Sequence, residues 1–232
     1  MTAPPPFVLF GAAHLATMAL IAGAALASAL LVRRAPASAV ARTFCLVLAM
    51  VAAVSLFLGM VFDAHLGRSW TEWAPLQLCD VSVGLAVAAL VGRRQRAAEL
   101  LWFWAMGGTV LAVVTPDLAR GFPDPTYLLF FGQHGMVIVS AVTAVFGLGL
   151  RPQRGAPWRA FGWTVGWAAV TGLVDATTGA NFLYLRAKPA SETLYNAFGP
   201  WPFYLVVTAA FALTVFWLLY LPFLRRRGNS TP

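Results

Sequence analysis

The sequence predicts an all-α polytopic membrane protein, a bundle of seven transmembrane helices. Of its 232 residues, 60% are apolar and only 10% are charged, which leaves too little polar surface to cover a soluble globule of this size. Long apolar runs reach the ~20 residues that a helix needs to cross a bilayer. Basic residues lie at the ends of these runs and not along one continuous face, so the net charge of +8 indicates membrane topology and not nucleic-acid binding.

Seven apolar segments are predicted to span the membrane. They are residues 7–32, 40–62, 76–92, 98–115, 127–150, 158–179 and 201–223. No charge precedes the first apolar run, and an arginine pair follows it, so we interpret it as a retained span and not as a cleaved signal peptide. The second contains Cys45, and the third opens with Cys79 near its start.

The remaining segments follow the same rules. The third and fourth are the shortest, because the short basic turn between them and Glu99 near the start of the fourth leave little room for longer spans. The fifth contains His134. The sixth carries the small residues Gly162 and Gly166 at a spacing that lets helices approach closely. No long linker or low-complexity stretch interrupts the series, so we predict a single domain over residues 1–232.

Basic residues predict the orientation of the chain. Clusters of three alternate with connections that hold only one or two basic residues. The clusters are Arg33/Arg34/Arg42, Arg93/Arg94/Arg96, Arg151/Arg154/Arg159 and Arg225/Arg226/Arg227, and the others are Arg68, Arg120, Arg186 and Lys188. Because Lys and Arg concentrate in cytoplasmic loops, we place the clusters in the cytoplasm, the N-terminus outside and the C-terminus inside. The preference for Arg over Lys favours a bacterial source, and therefore the inner membrane.

Most ionisable side chains then fall on the outer side, and three of them share a depth. At about 1.5 Å of rise per residue, Cys79, His134 and Asp175 each lie one or two turns below the outer surface. Ionisable residues within spans normally face the bundle interior and find partners. We therefore expect Asp80, His134 and Asp175 to meet in an outward-facing polar pocket.

Other polar residues are expected to line the same pocket. Gln77 and Asp80 flank the Cys79 thiol, and Thr178 shares a helix face with Asp175. Asn181 continues that polar stripe beyond the helix. Three dispersed histidines without a common spacing predict no metal site, and no cofactor motif is present.

Three strings resemble a known family. They are Pro75-Leu-Gln-Leu-Cys79-Asp80, Gly132-Gln-His134-Gly and the stretch from Asp175 through Asn181 to Tyr204. The chain resembles the bacterial YwaF-type integral membrane proteins, which are in turn similar to a eukaryotic multi-span family with phospholipid acyltransferase activity. In that family a Cys and a His within the membrane carry the chemistry, and the matching positions are Cys79 and His134. The arrangement is more remotely similar to intramembrane lipid hydrolases that use a Thr and a His. Many relatives carry His where this chain has Gln77.

The resemblance implies covalent chemistry on a membrane lipid. A thiol acts as a nucleophile when a neighbouring His takes its proton, and a second substrate or water then attacks the thioester. Asp175 or Asp80 would orient the imidazole. Gln77 or Asn181 would donate a hydrogen bond to the oxyanion.

Two other functions stay open. The same pocket without covalent chemistry would suit a receptor or transporter for a small polar ligand, with Cys79 as an ordinary packing residue. A structural or assembly factor would use the polar residues only to hold helices together. A secondary transporter is less favoured, because the sequence shows no internal repeat.

Overall fold

The computed structural model describes residues 5–189 and 194–224, and within these ranges the chain is helical. The helices are α1 (Ala12–Arg34), α2 (Ala39–His65), α3 (Trp70–Trp73), α4 (Leu78–Leu90), α5 (Gln95–Trp104), α6 (Val110–Val114), α7 (Pro125–Val142), α8 (Ala156–Thr178) and α9 (Phe203–Leu224). One π-helical turn, Ala105–Thr109, joins α5 to α6, and another, Thr143–Gly147, extends α7. The prediction of an all-α fold is confirmed. The arginine cluster at 225–227 lies outside the described residues.

Five helical segments are long and apolar enough to cross a membrane, which indicates a multi-pass membrane protein. They are Ala12–Arg34, Ala39–His65, Gln95–Val114, Pro125–Gly147 and Phe203–Leu224. Helix α4 is apolar but shorter, and α8 is not among the five. Each of the seven predicted segments overlaps at least one helix, while the count of seven crossings and their orientation stay predictions.

The first helix begins later than the apolar run does. We predicted a span from residue 7, but α1 starts at Ala12 after an extended Gly11. The backbone N–H of Phe7 instead donates to the carbonyl of Ala119 at 3.1 Å. The apolar run therefore includes a short segment that packs on the α6–α7 connection.

Local sequence signals fix several helix ends. The Ser38 side chain accepts a hydrogen bond from the N–H of Ala41 and so caps α2. Asp124 caps α7, and Pro125 occupies its first position, where a missing N–H costs nothing. Helix α8 ends at Gly179, whose φ of 82° is accessible mainly to glycine.

Small residues let the central helices pack closely. Helices α1, α2, α4, α5 and α7 share one core that is rich in alanine, including Ala52, Ala86, Ala98 and Ala141. Without a hydrophobic driving force between helices in lipid, close backbone approach is what stabilises such contacts. Large apolar side chains are exposed instead, among them Leu20 on α1, Phe57 on α2 and Leu173 on α8.

One end of the bundle gathers the basic connections, and we call it the arginine end. There Arg93 donates to the carbonyl of Pro36 at 3.0 Å, which joins the α4–α5 turn to the α1–α2 turn. The amide of Gln95 donates to the carbonyl of Arg151 at 2.7 Å, which adds the connection before α8. The basic clusters that precede residue 190 therefore lie together, as the alternating pattern predicts.

Candidate functional site

At the opposite end, which we call the far end, a hydrogen bond joins α4 to α7. The amide nitrogen of Gln133 donates to Oδ1 of Asp80 at 2.6 Å. The other carboxylate oxygen accepts from the backbone N–H of Gln77 at 3.2 Å, which fixes the first turn of α4. Cys79 and His134 are the sequence neighbours of this bonded pair. The structure thus brings the two helix segments that carry the predicted pair into contact.

The Cys79 sulfur faces the π-helical turn. Its hydrogen-bond partner among the described residues is Thr109, with Sγ and Oγ1 3.5 Å apart. Thr109 is itself buried, with 1% of its surface exposed. The thiol is therefore held by a hydroxyl group and not by the imidazole of His134.

His134 is oriented by its own helix. Its Nδ1 lies 2.8 Å from the carbonyl oxygen of Phe130, and the two rings stack with centroids 4.1 Å apart. A carbonyl oxygen only accepts, so Nδ1 must carry a proton. In the neutral ring Nε2 then holds the lone pair. His134 also interacts electrostatically with Asp80.

The backbone after α8 folds over the start of α4. The N–H of Leu183 donates to Oε1 of Gln77 at 3.0 Å, and the N–H of Phe182 donates to Oδ1 of Asp175 at 2.9 Å. Leu183 and Tyr184 both adopt positive φ values, 55° and 56°. Such strain in residues other than glycine persists only where surrounding contacts impose it. Gln77 and Asp175 supply those contacts.

Tyr184 follows Leu183 in the turn that folds over α4. Its hydroxyl interacts electrostatically with both Cys79 and Asp117, and burial raises the pKa of that hydroxyl. It therefore stays protonated at neutral pH. The Tyr204 hydroxyl binds the carbonyl of Tyr184, which anchors this turn to α9.

Asp175 is buried at the C-terminal end of α8, with no exposed surface. Its Oδ1 binds Phe182, whereas Oδ2 has no partner among the described residues. Its hydrogen bond thus goes to the turn, and no described hydrogen bond joins it to Asp80 or His134. A buried carboxylate oxygen without a donor is costly.

Two predicted residues organise the local backbone. The side chain of Asn181 donates to the carbonyl of Ala187 at 2.9 Å and accepts from the N–H groups of Arg186 and Ala187. The Thr178 hydroxyl donates to the carbonyl of Val174 at 2.7 Å and accepts from the N–H of Ala180. Both side chains are engaged in holding the turn.

We call Gln77, Cys79, Asp80, Gln133 and His134 the polar cluster. The sequence pointed to four of these and missed Gln133, although it stands inside the quoted string around His134. Tyr184 was likewise inside a quoted string. Nothing in the sequence marks Thr109, because its position depends on the π-helical turn.

Cys79 lies near a helix N-terminus, since it is the second residue of α4. The N–H groups of Asp80 and Val81 already donate to the carbonyl of Gln77, each at 3.1 Å. The polar cluster therefore places a thiol, an imidazole and two side-chain amides in one region.

Comparison with known proteins gives one family and one relative. A sequence model described as the TMEM164 family matches residues 9–220. An uncharacterized protein of Treponema pallidum (strain Nichols) is 30% identical over 176 residues, which cover 75% of this chain and 72% of that protein. No solved structure matches. The match is to the TMEM164 family by description, and the resemblance to YwaF-type proteins stays a prediction.

Proposed function

Because this chain belongs to the TMEM164 family, we propose that it is a seven-span membrane enzyme that transfers or hydrolyses the acyl chain of a lipid. The N-terminus would lie outside and the far end would face the periplasm of a bacterial inner membrane. Membrane lipids would be both surroundings and substrate. The observation that carries the proposal is the 2.6 Å hydrogen bond between Asp80 and Gln133, which holds Cys79 and His134 in adjoining helices.

In the proposed first step, the Cys79 thiol gives its proton to Nε2 of His134. The sulfur forms a bond to the carbonyl carbon of a lipid ester, and the ester C–O bond breaks. The departing alkoxide takes the proton from His134. This leaves an acyl thioester and a lysolipid.

In the second step, an acceptor hydroxyl or water gives its proton to His134 and attacks the thioester carbon. The C–S bond breaks, and the sulfur recovers its proton from His134. A hydroxyl acceptor gives transfer, and water gives hydrolysis. Both outcomes return the same free enzyme.

Each described contact has a role in this scheme. The Phe130 carbonyl fixes the tautomer in which Nε2 of His134 is basic, as a third group does in other triads. The Gln77 amide would donate a hydrogen bond to the oxyanion. The thiol must first exchange its hydrogen bond to Thr109 for one to His134, so we expect substrate entry to rotate it.

The buried Asp175 supports a second candidate function. An unpartnered carboxylate oxygen would suit recognition of a small polar ligand in a receptor or transporter. In that case the Asp175→Asn variant would lose ligand binding, while Cys79→Ala would bind as wild type does.

Lipid turnover by purified protein in liposomes tests the enzymatic proposal. The assay would use a doubly labelled phospholipid and a lysolipid acceptor, and it would compare wild type with Cys79→Ala and His134→Ala. The other cysteine provides a matched control, because Cys45 is buried with 1% exposed, away from the polar cluster. We expect both site variants to lose at least about 100-fold in rate and Cys45→Ala to keep it. Unchanged turnover in folded Cys79→Ala would refute the covalent mechanism.

A further inference from the structure

At the arginine end, a second group of polar residues surrounds the carboxylate of Glu99. This side chain is buried, with 3% of its surface exposed. Its Oε2 accepts from Arg159 at 2.8 Å and from Arg96 at 3.0 Å. Its Oε1 accepts from the backbone N–H of Gln153 at 3.0 Å and from the Gln95 amide at 3.4 Å. We call these five residues the Glu99 cluster.

The cluster has more positive charge than its carboxylate neutralises. Two guanidinium groups share one carboxylate, so one positive charge is left over. The Arg96 side chain is 64% exposed, and a guanidinium carries five N–H donors. Arg96 therefore keeps donors for another acceptor.

Arg159 has a donor that no described residue satisfies. Its Nη2 binds Glu99 and its Nη1 donates to the carbonyl of Arg154 at 2.7 Å. Its Nε is buried and has no partner among the described residues. An unsatisfied buried donor on a cation favours an anionic acceptor.

These groups line a shallow cavity between α5 and α8. The polar lining residues are Arg96, Arg159 and the carboxylate that they share, Glu99, and the apolar ones include Leu100, Ala160 and Trp163. The Trp163 side chain is largely exposed on the surface of α8. Cationic groups beside an exposed indole are typical of the depth at which lipid headgroups lie.

We propose that this cavity binds the phosphate of an anionic phospholipid. The guanidinium groups of Arg96 and Arg159 hold the phosphate oxygens, since guanidinium matches phosphate geometry with paired N–H donors. The apolar wall at Leu100 and Trp163 contacts the glycerol and the first acyl carbons. This wall is what selects a lipid over free phosphate. The site is independent of the polar cluster and of any catalysis there.

Native mass spectrometry of the full chain in detergent, titrated with phosphatidylglycerol, tests this site. Arg96→Gln removes the excess charge but leaves the pair between Arg159 and Glu99. The matched control is Arg33→Gln, an exposed arginine at the same end of the bundle. We expect Arg96→Gln to weaken phosphatidylglycerol binding by roughly three- to tenfold, the range of one ordinary net hydrogen bond, because Arg96 is mostly exposed. Arg33→Gln should stay within about twofold.

A second variant and two competing ligands identify what the cavity binds. Arg159→Lys keeps the charge but lacks the Nε donor, so it should weaken binding in the same direction as Arg96→Gln. Excess inorganic phosphate should not displace the lipid, and phosphatidylcholine should bind less tightly. Equal losses in Arg96→Gln and Arg33→Gln would show a general charge effect and overturn the proposal. Displacement by inorganic phosphate, or wild-type binding by Arg96→Gln, would overturn it as well.

Discussion

Replacing Glu99 by Gln tests whether the Glu99 cluster stabilises the fold. The amide keeps the size of the side chain and one acceptor oxygen. The substitution removes the negative charge in either orientation of the amide. In one orientation it also places an NH2 group where two guanidinium groups now donate to Oε2. Arg96 is mostly exposed, so its share is below about 0.5 kcal/mol after solvent screening. Arg159 is 34% exposed, and its charge-assisted bond is worth about 1.5–2.5 kcal/mol.

The two contributions together predict a loss of about 2–3 kcal/mol in the free energy of unfolding. Unfolding by titration with SDS in mixed micelles, followed by tryptophan fluorescence, would measure it. The matched control is Glu72→Gln in the exposed capping box of α3, where Glu72 accepts from the N–H of Ser69 at 3.1 Å. It should cost less than about 1 kcal/mol. A Glu99→Gln variant within about 0.5 kcal/mol of wild type would refute the reasoning.

Two more predictions concern the far end. The buried His14 ring accepts from the N–H of Phe10 at 3.0 Å and binds the carbonyl of Val113 at 2.8 Å. We therefore expect His14→Ala to lower the free energy of unfolding by about 2–4 kcal/mol in the same micelles. An unchanged free energy of unfolding would contradict this structural role. The Asp124 carboxylate accepts from the side chain and N–H of Thr126, which lowers its pKa below the ordinary 3.8. Its contribution is therefore complete above pH ~4 and is lost as the pH falls through the lowered pKa. Asp124→Asn should flatten the acid limb of a stability profile, and an acid limb as steep as that of wild type would count against this assignment.

The helices were predictable because their signals are local. A helix that crosses lipid needs an apolar run of sufficient length, and arginines collect in the loops between such runs, so both features are visible in the sequence. The ends of the helices were less predictable, because contacts between residues distant in sequence determine where a helix begins or ends. The segment at Phe7 is as apolar as a span, yet its backbone binds Ala119. The start of α4 shows the same limit, since the side chain of its N-cap residue, Gln77, accepts a hydrogen bond from Leu183 in a turn distant in sequence.

The site was predictable in location and not in its contacts. Helix depth follows from a fixed rise per residue, so Cys79 and His134 fall in the same region. Their facing directions depend on how each helix is rotated, which side-chain packing sets. The π-helical turn before α6 adds a residue to one turn and brings Thr109 toward the thiol. Asp175 binds the turn after its own helix because that backbone folds back over α4.

The most direct test of the proposed chemistry is the intact mass of the Cys45→Ala variant after brief exposure to a lipid donor without acceptor. The sequence has two cysteines, so Cys79 is then the sole thiol. The account predicts a mass increase equal to one acyl chain replacing one hydrogen, which neutral hydroxylamine removes. The same increase should be absent when Cys79 is also replaced by Ala. A folded Cys45→Ala protein that turns over lipid and never carries this adduct, or an adduct that survives the loss of Cys79, would contradict the account.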